Sequence, residues 1–269
     1  MTIKDIVGNA ILIAAGGRSI LLQLANPAIG HGVANHSDFA SRPQDRLKNT
    51  LSFVYAIAFG TPEDAVIATR RVNHAHIPVQ SPGSETTPAY SAYTPQLQLW
   101  VAATLYDSAV LMHELVYGPL SDQLADEFYE EYRKLGAALQ VPPDLWPESR
   151  SAFRGYWDEC LQSLSTDAAT RAVAHELLHT RTAPLWMRAG LPLGRLMTAG
   201  LLPPHVREMF ELPWSAKRQR RFDRALRLTR AVYPSLPRGI RHWPKNHYLR
   251  TLRESTRLAV NPAAVGLDR

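Results

Sequence analysis

Residues 96–117 read QLQLWVAATLYDSAVLMHELVY. Leu99, Ala103, Tyr106, Val110 and His113 recur at three- and four-residue intervals, so they share one stripe of a helix. Thr94-Pro95 starts that helix and Gly118-Pro119 stops it. Similar helical spacing runs through nearly the whole chain, and no segment sustains the period-two alternation of a half-buried strand. The expected fold class is all-α.

Outward from this stretch, a first helix is expected from Ile3 to Ala25, loosened at Gly16-Gly17 and closed by Asn26-Pro27. The polar segment HGVANHSDFASRP follows, with His31 and His36. Pro43 opens a helix to Phe59 that Gly60 ends; Thr61 then caps another, with Pro62 in its first turn and Asp64 at its third position. Gln80 to Pro95, rich in Ser, Thr, Pro and Gly, is a long loop of the kind that serves as a lid or binding loop. Ser121 caps a helix to about Leu139, the turn VPPDLWP follows, and further helices span Glu148 to Leu164 and Thr166 or Asp167 to His179. Four prolines between Ala183 and Pro204 predict short helices there, and Ser215 to Val232 and Pro244 to Leu258 complete the set. There is no internal repeat, and residues 1–269 are expected to form a single globular domain with a basic helical part from about residue 215.

The 269 residues, 45% hydrophobic and 20% charged, have the composition of a soluble globular protein. Cys160 is the one cysteine, which excludes an internal disulfide and fits a reducing compartment. MTIKDIV lacks the basic-then-apolar pattern of a secretory leader, and Arg18, Gln23 and Asn26 interrupt the apolar run from Ile11 to Ile29, so a cytoplasmic location is expected. Of the net charge of +6, the stretch from Lys217 to Arg257 holds 13 Lys or Arg against Asp223 and Glu254. Its aromatic residues fall at helix-packing spacings and form no stacking platform, so no specific nucleic-acid partner is expected; a peripheral membrane contact is one use for the charge.

Two arginines and two histidines meet in RRVNHAHIPV, Arg70 to Val79. Such a helix end suits an anion, a metal or a haem edge. His74 and His76 point roughly 200° apart on a regular helix, so they serve one site only if the helix frays before Pro78, and Ile77, as the residue before a proline, is expected to leave the α region. HELLH at 175–179 matches the zinc-hydrolase spacing, with Glu176 between its histidines, but a third ligand would have to come from Glu208 or Glu211. Zinc hydrolysis is therefore a minor alternative to a partly exposed helix face. Cys160 has no cationic neighbour in sequence and Gly16-Gly17 no P-loop lysine.

The runs LLQLANPAIGHGVANHSDF, RLKNTLSFVYAIAFGTPEDA, RRVNHAH, YSAYTPQLQLWVAATLYDSAV and MTAGLLPPHVREMFELPWS occur in that order. Together they resemble the MpaB-type oxygenase and rubber-oxygenase (latex clearing protein) catalytic domain family, over roughly Ile11 to Tyr248. The resemblance implies an all-α domain whose b-type haem activates dioxygen, with known members cleaving isoprenoid double bonds. In many relatives a histidine follows Trp-Val and is associated with the proximal iron ligand; here that position is Ala102, and Asn26 replaces the histidine of a Leu-Ala-His-Pro pattern. His76, Arg70, Arg71 and the pair His36-Ser37 match. His113 lies on nearly the same face as Ala102 but about 16 Å further along the axis.

Three readings follow from the resemblance. One is a haem b oxidoreductase acting on a hydrophobic small molecule, with His76 as iron ligand, Arg71 as anion or propionate partner, and Arg70, His36 and His74 around the pocket. A second is a non-haem metal site drawing on His31, His36, His74 and His76, with Asp38 as a carboxylate. The third is a cofactor-free protein that binds an apolar ligand. Asp107 is read as a helix-packing residue paired with an arginine.

Overall fold

The computed structural model describes residues 2–34, 43–83, 89–180 and 185–260, and it is all-α apart from one short hairpin. The expected first helix is three pieces: α1 (Ile3–Val7), a 3-10 helix (Ala10–Ala15) and α2 (Gly16–Leu24). The loosening expected at Gly16-Gly17 is present, as the 3-10 helix gives way to α2 at Gly16, and a break the sequence reading missed falls at Gly8-Asn9. A Cβ on Gly8 would lie 2.8 Å from Nδ1 of His242, and the Asn9 amide turns back to donate to the Asp5 carbonyl at 2.7 Å. Gly17 also serves packing, since a Cβ there would collide with the Thr198 hydroxyl.

Part of the expected polar segment is helical: α3 (Pro27–Ala34). Asn26 Oδ1 caps it, accepting from the N–H groups of Ala28 and Ile29 at 3.1 and 3.3 Å, with Pro27 at the position where no N–H is needed. Next come α4 (Pro43–Phe59) and α5 (Pro62–His76). The Thr61–Asp64 capping box forms as its sequence predicts, at 3.0 and 3.2 Å, and Asp64 also receives Arg253 at 2.7 Å. β1 (Gln80–Ser81) and β2 (Tyr90–Ser91) pair antiparallel and close the two ends of the long loop.

In α6 (Pro95–Tyr117), only Gln96 and Glu114 are exposed. A helix buried on every side is the axis of a fold. Two helices cover one side of it, α7 (Asp122–Ala138) and α8 (Arg150–Ser163). Between them lies an aromatic core: the Tyr106 ring centre is 4.9 Å from that of Phe153 and 5.3 Å from that of Tyr129, and Trp100 stacks on Trp157 at 5.1 Å.

The remaining helices are α9 (Ala168–Leu178), α10 (Leu185–Leu201), α11 (Pro204–Met209), α12 (Ala216–Val232), α13 (Arg238–Arg241) and α14 (Trp243–Val260). Contrary to the expectation of short pieces, α10 continues through Pro192. Pro192 and Arg188 are exposed, so the carbonyl that loses its N–H partner can turn to water.

Arg18, the charge that interrupts the N-terminal apolar run, is buried in α2. Its guanidinium lies 2.5 Å from Asp107 Oδ2 and donates to Ser108 Oγ at 2.6 Å and to the Leu201 carbonyl at 2.9 Å. Asp107 is thus the packing partner its sequence suggested, and one arginine ties α2 to α6 and α10. Among the described residues no helix is long and apolar enough to cross a membrane.

Candidate functional site

On the side of α6 away from the aromatic core, the helices do not close. Two lobes open there, sharing Ile20, Gln23, Thr50, Val101 and Leu105 as a common waist. The first encloses about 1140 Å³ including its open mouth and is walled by Leu12, Ile13, Leu51, Val54 and Ala109, with Tyr55 and Tyr132. The second encloses about 1260 Å³ on the same measure, with Ile29, Val33, Phe53, Val72 and Tyr90 in its wall beside Arg71, His76 and Gln98. Both lobes open to solvent, and apolar side chains dominate their walls. Burial raises the Tyr55 and Tyr132 phenols above their ordinary range, so both stay neutral at physiological pH.

α5 positions the cationic part of the wall. Arg71 is exposed at the rim, where its Nη2 donates to Thr256 Oγ1 at 3.3 Å. His76 is half-buried, edge-on to Tyr93 with ring centres 6.2 Å apart. His74 and Arg70 are exposed and are not among the lining residues. The reason lies at Ile77, which stays helical at φ −50°, ψ −51°, against the expected fraying. The pre-proline restriction is a bias, and the turn closed by the Val79 N–H on the His76 carbonyl at 2.9 Å outweighs it. Two residues on an unbroken helix therefore separate the directions of His74 and His76. His36, with Ser37 and Asp38, lies outside the described residues. His31 Nδ1 stands 3.4 Å from Asp167 Oδ2, at the junction of α3 and α9.

The HELLH histidines are exposed at the end of α9, their rings stacked at 4.1 Å, and His179 Nδ1 meets the His175 carbonyl at 2.9 Å. Glu211 pairs with Arg171 at 3.3 Å, and among the described residues no three His, Cys, Asp or Glu side chains gather. Burial pushes the Cys160 thiol up, as for an inert cysteine.

Neither position at which the resemblance places a histidine supplies a donor. Asn26 is the α3 cap. Ala102 is fully buried and faces α7: a Cβ on Gly136 would lie 3.8 Å from the Ala102 Cβ and 3.1 Å from the Trp146 ring. Its neighbour Val101 faces the cavity instead.

Gln98 escaped the sequence reading. It is 5% exposed, its Nε2 donates to the Ala92 carbonyl at 3.0 Å, and its Oε1, in a residue of the cavity wall, is buried with no partner among the described residues. An orphaned buried acceptor costs about 1–3 kcal/mol, which a ligand O–H or N–H would recover. The available hint was a glutamine between Leu97 and Leu99 on a helix buried all round.

An imidazole in an apolar wall and a guanidinium at its rim are a donor set that fits a b-type haem held through one protein nitrogen.

By architecture this is an all-α protein built around an apolar chamber. It belongs to the family described as ER-bound oxygenase mpaB/B'/rubber oxygenase, catalytic domain, which matches residues 5–231. That membership gives the chain the general character of an oxygenase catalytic domain. Uncharacterized proteins of Mycobacterium bovis and Mycobacterium tuberculosis are each 36% identical to it over 224 residues, 81% of this chain and 88% of theirs. No solved structure matches the chain.

Proposed function

We propose that the protein is a haem-dependent oxygenase of a hydrophobic, isoprenoid-like small molecule. The observation that supports this reading is the shared waist: the lobe with His76 and Arg71 shares five wall residues with a lobe whose wall is mainly apolar. His76 would hold the iron and Arg71 a propionate. When bound, the haem supplies the activation of dioxygen.

The chain's own residues do the rest. Leu12, Ile13, Leu51 and Val54 draw an apolar substrate out of water, at roughly 25 cal/mol per Å² of apolar surface buried. The same walls keep water from the reacting centre. Gln23 and Thr50 at the waist, and Gln98 beyond it, are the polar groups able to fix the orientation of a substrate that carries a hydroxyl. Neutral Tyr55 and Tyr132 add no charge that an apolar chain would have to desolvate.

Titrating the purified protein with haemin, with iron and zinc quantified on the same sample, tests the proposal. The expected result is a sharp Soret band saturating at about one haem per chain. His76→Ala should lose haem retention with helical content unchanged. Failure of the wild type to take up haem would sink the proposal. Ala102 and Asn26 favour a second reading, a haem-free carrier of apolar ligands, which predicts uptake of an apolar fluorophore by a protein that shows no Soret band.

A further inference from the structure

α12 carries seven Lys or Arg and one Asp in seventeen residues. At 100° per residue, Arg220, Arg221, Arg224 and Arg227 share an arc of about 140° with Leu228 and Val232. Every residue of that arc is exposed, Leu228 by 64% and Val232 by 49%. The opposite arc is the buried one, where Phe222 and Leu226 pack inward. Ser215 fixes the start of the helix by accepting from the Arg218 N–H at 3.3 Å, so the two arcs are set by a well-formed helix.

The four arginines make no ion pair with a carboxylate among the described residues. Asp223, the acidic residue of the helix, lies off the arc and accepts from Gln219 at 2.8 Å. A helix face that only met water would gain nothing from two large apolar side chains at its end, and a polyanion would use the charges alone. Cations followed on one face by exposed aliphatic groups suit a bilayer, which offers phosphates and, beneath them, an acyl boundary. The next exposed apolar side chains along the chain are Ile240 and Trp243, 58% and 61% exposed, and tryptophan is a residue type that favours that boundary.

We propose that α12 docks the protein on the surface of an anionic phospholipid bilayer, its arginines against headgroup phosphates and Leu228 and Val232 in the acyl boundary. The surface is separate from the cavity, so the proposal stands or falls apart from haem binding.

The test is co-sedimentation of the full chain with phosphatidylcholine vesicles, with and without about one-third phosphatidylglycerol, at low and physiological salt. Binding is expected only with phosphatidylglycerol, and it should weaken with salt. R220E/R221E/R224E should lower partitioning by about a hundredfold, at several-fold per basic residue, with an unchanged circular dichroism spectrum. L228S/V232S should lower vesicle partitioning severalfold and leave affinity for a short DNA duplex unchanged. Wild-type protein that stays in the supernatant overturns the proposal, as does a triple variant that binds as before. If L228S/V232S partitions like the wild type, the surface attracts any polyanion and the lipid assignment falls.

Discussion

The two sides of α6 differ as filled and hollow. On the side of α7 and α8, Tyr106 touches Phe128, Tyr129, Tyr132 and Phe153, and the small residues Ala102 and Gly136 let the helices close under Trp146. On the other side Val101, Leu105 and Ala109 look into a chamber. One step along the helix, from 101 to 102, passes from one regime to the other. A ligand-binding group placed at 102 would have to displace core, whereas one placed on α5 reaches open space. His76 and Arg71, both on α5, accordingly line the chamber, and the proposed haem site is drawn from them.

The comparison breaks if both sides tolerate truncation equally. Phe153 is 4% exposed and ringed by aromatics, so Phe153→Ala should cost about 3–5 kcal/mol in urea or guanidinium unfolding. Leu51→Ala, at the chamber wall, should cost about 1–2 kcal/mol, since the half-buried side chain already borders a void. Equal losses would mean that the chamber is closed in solution.

The filled regime continues to the end of α6, where it holds an unusual group. His113 is 2% exposed, stacks on Tyr117 at 5.0 Å, and has no partner for Nδ1 among the described residues. Burial lowers its pKa from 6.5 to about 4. The folded state resists a proton that the unfolded chain accepts below pH 6.5, so this contribution to stability is complete above that pH and is lost as pH falls toward 4. Between pH 7 and 4.5 the loss should be about 2–3 kcal/mol. Comparing unfolding midpoints at the two pH values with those of His113→Leu isolates it from the carboxylates, because the variant should lose less by that amount.

What the sequence revealed, and what it hid, follows the range of the interactions. Thr61 and Ser121 cap helices as expected, and Asp167 and Ser215 cap theirs at the expected starts, because donor and acceptor lie three residues apart. The break at Gly8, the continuity of α10 through Pro192 and the helical Ile77 depend on tertiary partners or on the balance of one turn, and local rules missed them. In the site, Arg71 and His76 could be singled out by residue type. The direction of His74 could not, because it hinges on whether one turn frays. The chamber itself left no local trace: it lies where α4 stands off from α6 beside the packed α2, made by side chains that would serve equally well in a packed core.

A smaller effect sharpens the contrast at its boundary. Ala102→His restores the residue type that the family resemblance places there, but into the filled side. It should destabilise by about 1–3 kcal/mol through overpacking against Gly136 and Trp146, with the haemin titration unchanged from wild type. A gain of a second nitrogen ligand, read from the Soret and visible bands, would instead show that position 102 can reach the chamber.

The smallest expected effect concerns Gln98, a wall residue whose Oε1 has no partner among the described residues. If Oε1 waits for a ligand donor, the protein should bind farnesol more tightly than farnesene, by roughly fivefold for a hydrogen bond worth about 1 kcal/mol; displacement of an apolar fluorophore measures both. Gln98→Leu should abolish that preference. The same change also removes the bond from Nε2 to the Ala92 carbonyl, which ties the end of the hairpin to α6. Gln98→Glu separates the two effects: buried and neutral, its carboxyl donates one O–H to Ala92 and keeps its other oxygen as an acceptor. Preference retained in Gln98→Glu and lost in Gln98→Leu would assign selectivity to the acceptor. Preference for the alcohol in both variants would move it to Gln23 or Thr50 at the waist, and leave Oε1 with no part in choosing the ligand.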